Sequence, residues 1–471
     1  MRAVVRRFPQ AAWVQLHSGL AEGPRAAAYL EAQQGEADII IGTRLAILAP
    51  IPRLGLIVVD EEHDPSYKQQ EGLRYSARDV ALYRARLVGC PIVLGSATPS
   101  LETLYNAQQQ RLTPLKLTRR AASDAGLPGV GFINLNHEAA PDGLTPSLIE
   151  AISDTLKRGE QALLYINRRG YAPALVCNQC GWIPECRRCS ARLVYHKRAA
   201  SLKCHHCGYQ AAPPAHCGDC GSPDLRPAGQ GTERIETALQ QALPQARMAR
   251  VDRDATSRRG SAERIFAATA AGELDLLIGT QMISKGHDFP RLTLVGVINA
   301  DGAVFSADFR ASERLAAQMM QVAGRAGRAQ LPGRVLIQTR FPEHPLYQAV
   351  AAQNYRQFAD LLLQERQVAH LPPYSFLVLL RAEAKGLEPL KTFLTEATQQ
   401  AQAAAAEYGI NIWDPVPAPL ARKAGYERWQ LLLQADSRAA MQRFLRAWLP
   451  LLQAQKMPQV RWVIDVDPIE V

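Results

Sequence analysis

Apolar residues are unevenly spread along the chain. Between residues 1 and 120, three β-branched runs, Asp38–Ile41, Leu56–Val59 and Pro91–Leu94, alternate with segments of helical period. Runs without polar alternation suit buried parallel strands of an α/β sheet. Residues 121–145 are rich in Gly, Pro, Ala and Asn and read as a linker. A second α/β set follows at 162–166, 274–278, 292–298 and 334–338, interrupted after its first strand by a cysteine-dense segment, 177–220. From about residue 346 the pattern changes to a helix (346–370) ended by Pro372-Pro373. Then come a strand (375–383), a helix (387–407), a strand (409–416) and a loop with Arg422, Lys423 and Gly425. A strand (428–435), a helix (437–454) and a final strand (460–466) complete the chain. That order is β-α-β-β-α-β, the split βαβ arrangement. The expected divisions are 1–120, a linker at 121–155, 156–345 with 177–220 inserted, and 346–471.

A chain of 471 residues has room for about three domains. With 47% apolar and 21% charged residues, a sizeable core is possible and wholesale disorder is excluded. The formal net charge of +10 is a mild pointer to nucleic acid. No apolar run approaches the ~18 residues of a membrane span. Arg2, Arg6 and Arg7 are not followed by the apolar stretch of a secretory signal. The expectation is a cytoplasmic protein with no membrane partner. Nine cysteines would be odd there as disulfides, and eight of them fall within 177–220.

Those eight form four Cys-x-x-Cys pairs: Cys177/Cys180, Cys186/Cys189, Cys204/Cys207 and Cys217/Cys220. One such turn aims two thiolates at a single ion, with Zn–S near ~2.3 Å, so four pairs imply two four-thiolate zincs. The gaps between pairs are 5, 14 and 9 residues, and 14 suits a ribbon whose hairpin separates two knuckles. Cys186, Cys189, Cys204 and Cys207 should then share one ion, and Cys177, Cys180, Cys217 and Cys220 the other. A sequential pairing stays open, although it must fold a five-residue connection. Closed four-cysteine sites are structural rather than catalytic. Cys90 stands alone before an apolar run and reads as core.

The run 56–59 leads directly into Asp60-Glu61-Glu62-His63, and the next ends in Gly95-Ser96-Ala97-Thr98-Pro99. An acidic pair at the C-terminal end of a parallel strand sits where open α/β sheets bind ligands. In nucleotide-driven motors the Asp holds Mg²⁺ and the Glu positions the attacking water. Alone, such a tetrapeptide is better explained by an acidic surface turn; the following Gly-Ser-Ala-Thr makes the pair specific to superfamily 2 helicases. A later stretch, Gly279–Asp288, adds Gly286 and Asp288 as nucleotide contacts. Gln321–Arg328 (QVAGRAGR) is expected on a helix, where Arg325 and Arg328 share a face and can reach a γ-phosphate, with Gln321 beside them.

On these residues the chain resembles the bacterial primosomal replication-restart helicases, the PriA (primosomal protein N′) family. The resemblance takes in His17–Leu20, Gly42–Arg44, Asp60–Asp79, Asn167–Tyr171, the eight cysteines, Gly231–Glu233, Asp301–Arg310 and Asp465–Glu470. It implies two RecA-like helicase lobes, a double zinc-ribbon insertion in the second and a C-terminal split βαβ domain. It also implies an ATP- and Mg²⁺-dependent 3′→5′ DNA helicase that recognises stalled forks. Its partners would be single-strand-binding protein, which Arg438 could meet, and primosome proteins. The stretch Pro65–Asp79 matches the family's aromatic-rich loop, making Tyr67, Lys68 and Tyr75, with Arg44 and Arg310, candidate DNA contacts.

The chain departs from the family ahead of Asp60, where the family's N-terminal DNA-binding region and winged helix are also not found. No G-x-x-x-x-G-K-[ST] phosphate loop precedes Asp60, and no Gly-Lys dipeptide occurs anywhere. The first lobe is therefore expected to be incomplete and this exact chain to hydrolyse no ATP. Two readings follow: a restart helicase whose front is lost through a late start codon, a frameshift or a fragmentary gene, or a non-hydrolysing zinc protein that binds DNA or a partner.

Overall fold

The computed structural model describes residues 6–117, 126–167, 174–188, 191–196, 201–204, 207–228, 232–251, 260–280, 289–306, 308–327 and 331–471. Its contacts divide the chain into two units, residues 1–113 with 465–469, and residues 114–464 with 470–471.

The first unit contains β1 (Trp13–Leu16), α1 (Glu22–Gln34), β2 (Ile39–Gly42), β3 (Ile57–Asp60), α2 (Ala77–Val88), β4 (Ile92–Gly95) and α3 (Leu101–Gln108). Strands β1 and β2 pair in parallel, as do β3 and β4, with Asp60 opposite Gly95. Helix α2 illustrates how the sequence sets an element. Ser76 caps it by accepting from the Asp79 amide, Gly89 ends it in the left-handed region, and Ala77, Ala81 and Ala85 make a small-residue stripe. Ala81 and Ala85 of that stripe pack on Ile57 and Val59, with Cys90 at the margin of the same cluster. The run Leu56–Val59, expected to be buried on both faces, is covered on one: Val58 is 62% exposed and its neighbour Val93 44%.

The second unit opens with β5 (Gly129–Asn134), α4 (Pro146–Lys157) and β6 (Gln161–Ile166). This corrects the linker expected over 121–155. Glycine content suggested a connection, but β5 is a paired edge strand, and a Cβ at Gly131 would lie 3.3 Å from Leu336. Helix α4 is capped by Thr145 and buries Leu148 and Ile152. A cysteine module follows, with β7 (Ala174–Cys177), β8 (Val194–His196), β9 (Ser201–Lys203), β10 (Gln210–Ala211) and β11 (Leu225–Ala228). The chain re-enters the lobe through α5 (Thr232–Ala242), β12 (Met248–Val251), α6 (Ser261–Ala270), β13 (Leu276–Gly279), β14 (Leu292–Ile298), α7 (Asp301–Val304), α8 (Ala311–Ala323) and β15 (Arg334–Thr339). The sheet order is β12-β13-β6-β14-β15-β5, parallel throughout. Central strands β6 and β14 are buried at every position, as their unbroken apolar runs require.

The remainder comprises α9 (Pro345–Ala351), α10 (Tyr355–Val368), β16 (Phe376–Ala384), α11 (Leu387–Tyr408), β17 (Ile410–Ile412), β18 (Val416–Lys423), β19 (Tyr426–Ala435), α12 (Arg438–Ala454) and β20 (Val460–Val466). The helix expected over 346–370 is two, because Gln353 turns left-handed and Asn354 caps a new start. The stretch around Arg422 and Lys423 is strand rather than loop. Ala424 and Gly425, both at positive φ, make a two-residue hairpin turn that pairs Lys423 with Tyr426. Helices α11 and α12 pack together, with the buried Trp448 indole donating to the Ala397 carbonyl at 3.2 Å. No helix among the described residues is long and apolar enough to cross a membrane.

Candidate motor site and metal centres

The end of β3 separates three carboxylates by environment. Asp60 and Glu61 face solvent, whereas Glu62 is 2% exposed. Glu61 turns to a positive φ of 48°, which ends the strand and lets the acids diverge. Asp60 Oδ1 accepts from the Glu61 amide at 3.0 Å. A Cβ at Gly95 would come within 3.4 Å of that oxygen, so the glycine of Gly-Ser-Ala-Thr keeps the acid's flank open. His63 Nδ1 lies 2.7 Å from the Ser96 hydroxyl. Glu62 accepts from the Ser100 amide (2.7 Å), the hydroxyls of Ser100 (3.0 Å) and Thr103 (2.9 Å), and Arg78 (3.3 Å). This network binds β3 to the start of α3, where a negative charge is favoured. Sequence reasoning missed it; the signal was a third acid in the tetrapeptide and hydroxyls three apart at a helix start.

The loop after His63 folds back on the acids. Tyr67 donates to the Asp60 backbone carbonyl at 2.7 Å. Burial, then the negative field of Asp60, raises the Tyr67 phenol above its ordinary range. Arg44 braces the loop through the carbonyls of Ser66 (3.0 Å) and Lys68 (3.1 Å), and Tyr75 reaches the Arg44 carbonyl at 3.4 Å. Burial also raises Tyr75. The expectation that Lys68 meets DNA does not fit this geometry. Its ammonium is buried, 3.0 Å from Asp465 Oδ1, and donates to the carbonyls of Arg74 (2.9 Å) and Val466 (2.5 Å). All three of its donors are thus directed inward.

In the second unit, Gln321 lies on α8, but that helix ends at Ala323. Arg325 is therefore beyond the helix on which it was expected. Gly327 explains this: it is left-handed, and a Cβ there would sit 2.5 Å from the Gly333 amide. Arg325 is 8% exposed. Arg310 stacks on Phe309, 5.0 Å from the ring centroid, and lies 3.9 Å from Glu313, which also holds Arg366 at 2.6 Å. Gly286, Asp288, Arg328 and Cys189 lie outside the described residues.

The thiols gather in two groups in nested order. Cys177, Cys180, Cys217 and Cys220 form one, and Cys186, Cys204 and Cys207 the other, each within 4.8 Å. The gaps Cys177–Cys220 and Cys180–Cys217 are 3.5 Å and Cys186–Cys207 is 3.7 Å. Tetrahedral zinc with ~2.3 Å bonds places sulfurs about 3.8 Å apart, so the donor sets fit. Three knuckles repeat one turn: Gly181, Gly208 and Gly221 follow the second cysteine at positive φ and donate back to the first. The Cys180 amide, chiefly, pulls the Cys177 thiol down to about 6, and burial pushes Cys186 up. Zinc is thus supported by chemistry and geometry together.

Residues 367–469 match the model of the primosomal protein N C-terminal domain, 186–211 the PriA DNA helicase Cys-rich region, and 230–330 the helicase conserved C-terminal domain. The replication restart protein PriA of Treponema pallidum is 40% identical over all of this chain and 70% of its own length. The chain belongs to the PriA family. The PriA protein of Haemophilus influenzae is 43% identical over 96% of the chain, which spans 62% of that relative. The chain spans 56% of the Bacillus subtilis relative, at 37% identity. A solved structure of RecG bound to a three-way DNA junction aligns over 78% of the chain and 38% of its own, with 14% identity and a TM-score of 0.40. Membership accounts for the α/β lobes and for the cysteine module inside the second one.

Proposed function

We propose that this chain is the larger part of an ATP-dependent 3′→5′ DNA helicase of replication restart, which recognises stalled forks and supports primosome assembly. The observation that carries this is the strand pair β3–β4, which sets Asp60 opposite Gly95 at the C-terminal end of parallel strands, with Glu61 directly after it. There Asp60 would hold Mg²⁺ through water and Glu61 would position the attacking water. Gln321, Arg325, Arg328, Gly286 and Asp288 are the proposed nucleotide contacts of the second unit. ATP with Mg²⁺ supplies the driving force when bound. The metal side of that site fits these residues; the phosphate side does not, since no phosphate loop lies in the 471 residues.

DNA contact is proposed for Arg44, Tyr67, Tyr75 and Arg310, each now anchored by an internal bond. Single-strand-binding protein and primosome proteins are the proposed protein partners. Arg438, 4.7 Å from the Phe376 ring, is the candidate for a partner's carboxylate. Two structural Zn²⁺ ions complete the inventory, and the site of action is the cytoplasm.

The second reading is a non-hydrolysing zinc protein that binds DNA or a partner. ATP hydrolysis by purified 1–471 on forked DNA tests whether these residues suffice for turnover. No turnover is expected from this chain alone. Turnover abolished by Asp60→Ala would overturn that and restore full motor function to these residues.

A further inference from the structure

The C-terminal ends of β14 and β15 meet at one carboxylate. Asp301 Oδ1 accepts from the hydroxyls of Thr339 (2.5 Å) and Tyr347 (2.7 Å), and Oδ2 from the Arg340 amide (2.9 Å). Just before it, Asn299 takes a positive φ of 58°, which steers the chain out of β14. These constraints fix where two nearby rings emerge. Phe305, which follows α7, and Phe341, which follows Arg340, meet edge to face with centroids 4.7 Å apart at 65°. Phe305 is 64% exposed and Phe341 41%. Arg340 is also exposed. Its guanidinium donates only to the neutral Asn136 amide oxygen, at 3.4 Å, with no carboxylate partner among the described residues.

We propose that Phe305 and Phe341 form a stacking site for an unpaired base of single-stranded DNA, with Arg340 on the adjoining phosphate. The proposal rests on the DNA-binding reading above and adds residues which that reading does not contain. The site lies at the C-terminal edge of a parallel sheet, where such sheets receive ligands. Every base offers a flat π face to an aromatic ring, and a nearby cation completes the complement of a nucleotide. A docked protein suits the patch less well. Two rings contribute at most about 150–250 Å² each, against the roughly 800 Å² per partner of a stable interface. A nucleotide needs only one ring face and one charge.

The test compares a labelled thymidine oligonucleotide with an abasic one of equal length, by fluorescence anisotropy on the zinc-loaded chain. The wild type is expected to bind the thymidine strand more tightly. Phe305→Leu combined with Phe341→Leu should lower that affinity roughly tenfold and leave abasic binding unchanged, which also reports an intact fold. Phe305→Trp should keep the base preference, and Arg340→Gln should weaken both strands. Leucine variants that leave the thymidine affinity unaltered, or that weaken both strands equally, would overturn the site. A wild type that binds both strands equally removes the site alone. One that binds neither removes the DNA-binding reading with it.

Discussion

The Tyr67 phenol donates a 2.7 Å hydrogen bond to the backbone carbonyl of Asp60, whose side chain is the candidate metal ligand. One loop position is thereby tied to the acid, so movement of the loop can be felt at β3. Replacing Tyr67 by Phe keeps the ring and removes the bond. The expected cost is about 0.5–1.5 kcal/mol in urea unfolding. Because the folded phenol is raised above its free value of 10.0, its contribution is fully present below that pH and is lost as pH rises towards the folded value. Alkaline unfolding of Tyr67→Phe should accordingly be shallower than that of the wild type; parallel curves would refute the coupling.

Glu62 is the buried counterpart of the two exposed acids. Glu62→Ala would take the acceptor from the Ser100 amide and the Thr103 hydroxyl, and one of two carboxylate partners from Arg78, which keeps Asp79. Removing one partner of such a buried pair costs about 3–5 kcal/mol. Glu62→Gln, which keeps an acceptor oxygen, should cost clearly less. Chemical denaturation measures both, and an alanine variant as stable as the wild type contradicts the network.

The Lys68–Asp465 ion pair, 3.0 Å long with both side chains buried, joins positions that sequence order separates widely. Asp465→Ala should raise amide hydrogen exchange across residues 66–75, since Arg74 lies beside the same carboxylate at 3.7 Å. Lys68→Met with Asp465→Leu should recover protection, because apolar replacement of a buried pair is commonly tolerated. Unchanged exchange in the single variant would show that the loop is held by Arg44 instead.

Native mass spectrometry should find two zincs per chain. Cys180→Ser should lose one ion and Cys204→Ser the other, each leaving its neighbour in place. A single ion, or loss of both from either variant, is incompatible with two nested sites.

Much of this was legible because the chemistry demands local patterns. The run 292–298 coincides with β14, since a central parallel strand must be apolar on both faces. The cysteine spacing carried the grouping of thiols, because a knuckle is a local turn. Other features are decided by distant partners. Gly129 and Gly131 read as linker, yet β5 forms because β15 offers it an edge. Arg325 read as helical, but the close approach of Gly327 to Gly333 ends α8 earlier. Lys68 read as a DNA contact, and only the fold reveals Asp465 opposite it. In each case a residue's type was readable while its partner was not.

The central claim, that these residues form the DNA-engaging part of a restart helicase, is tested most directly by titrating forked DNA with the zinc-loaded chain at several salt concentrations. The account predicts binding that weakens steeply as salt rises, the mark of phosphate contacts. Absence of binding to forked and single-stranded DNA even at low salt would contradict it.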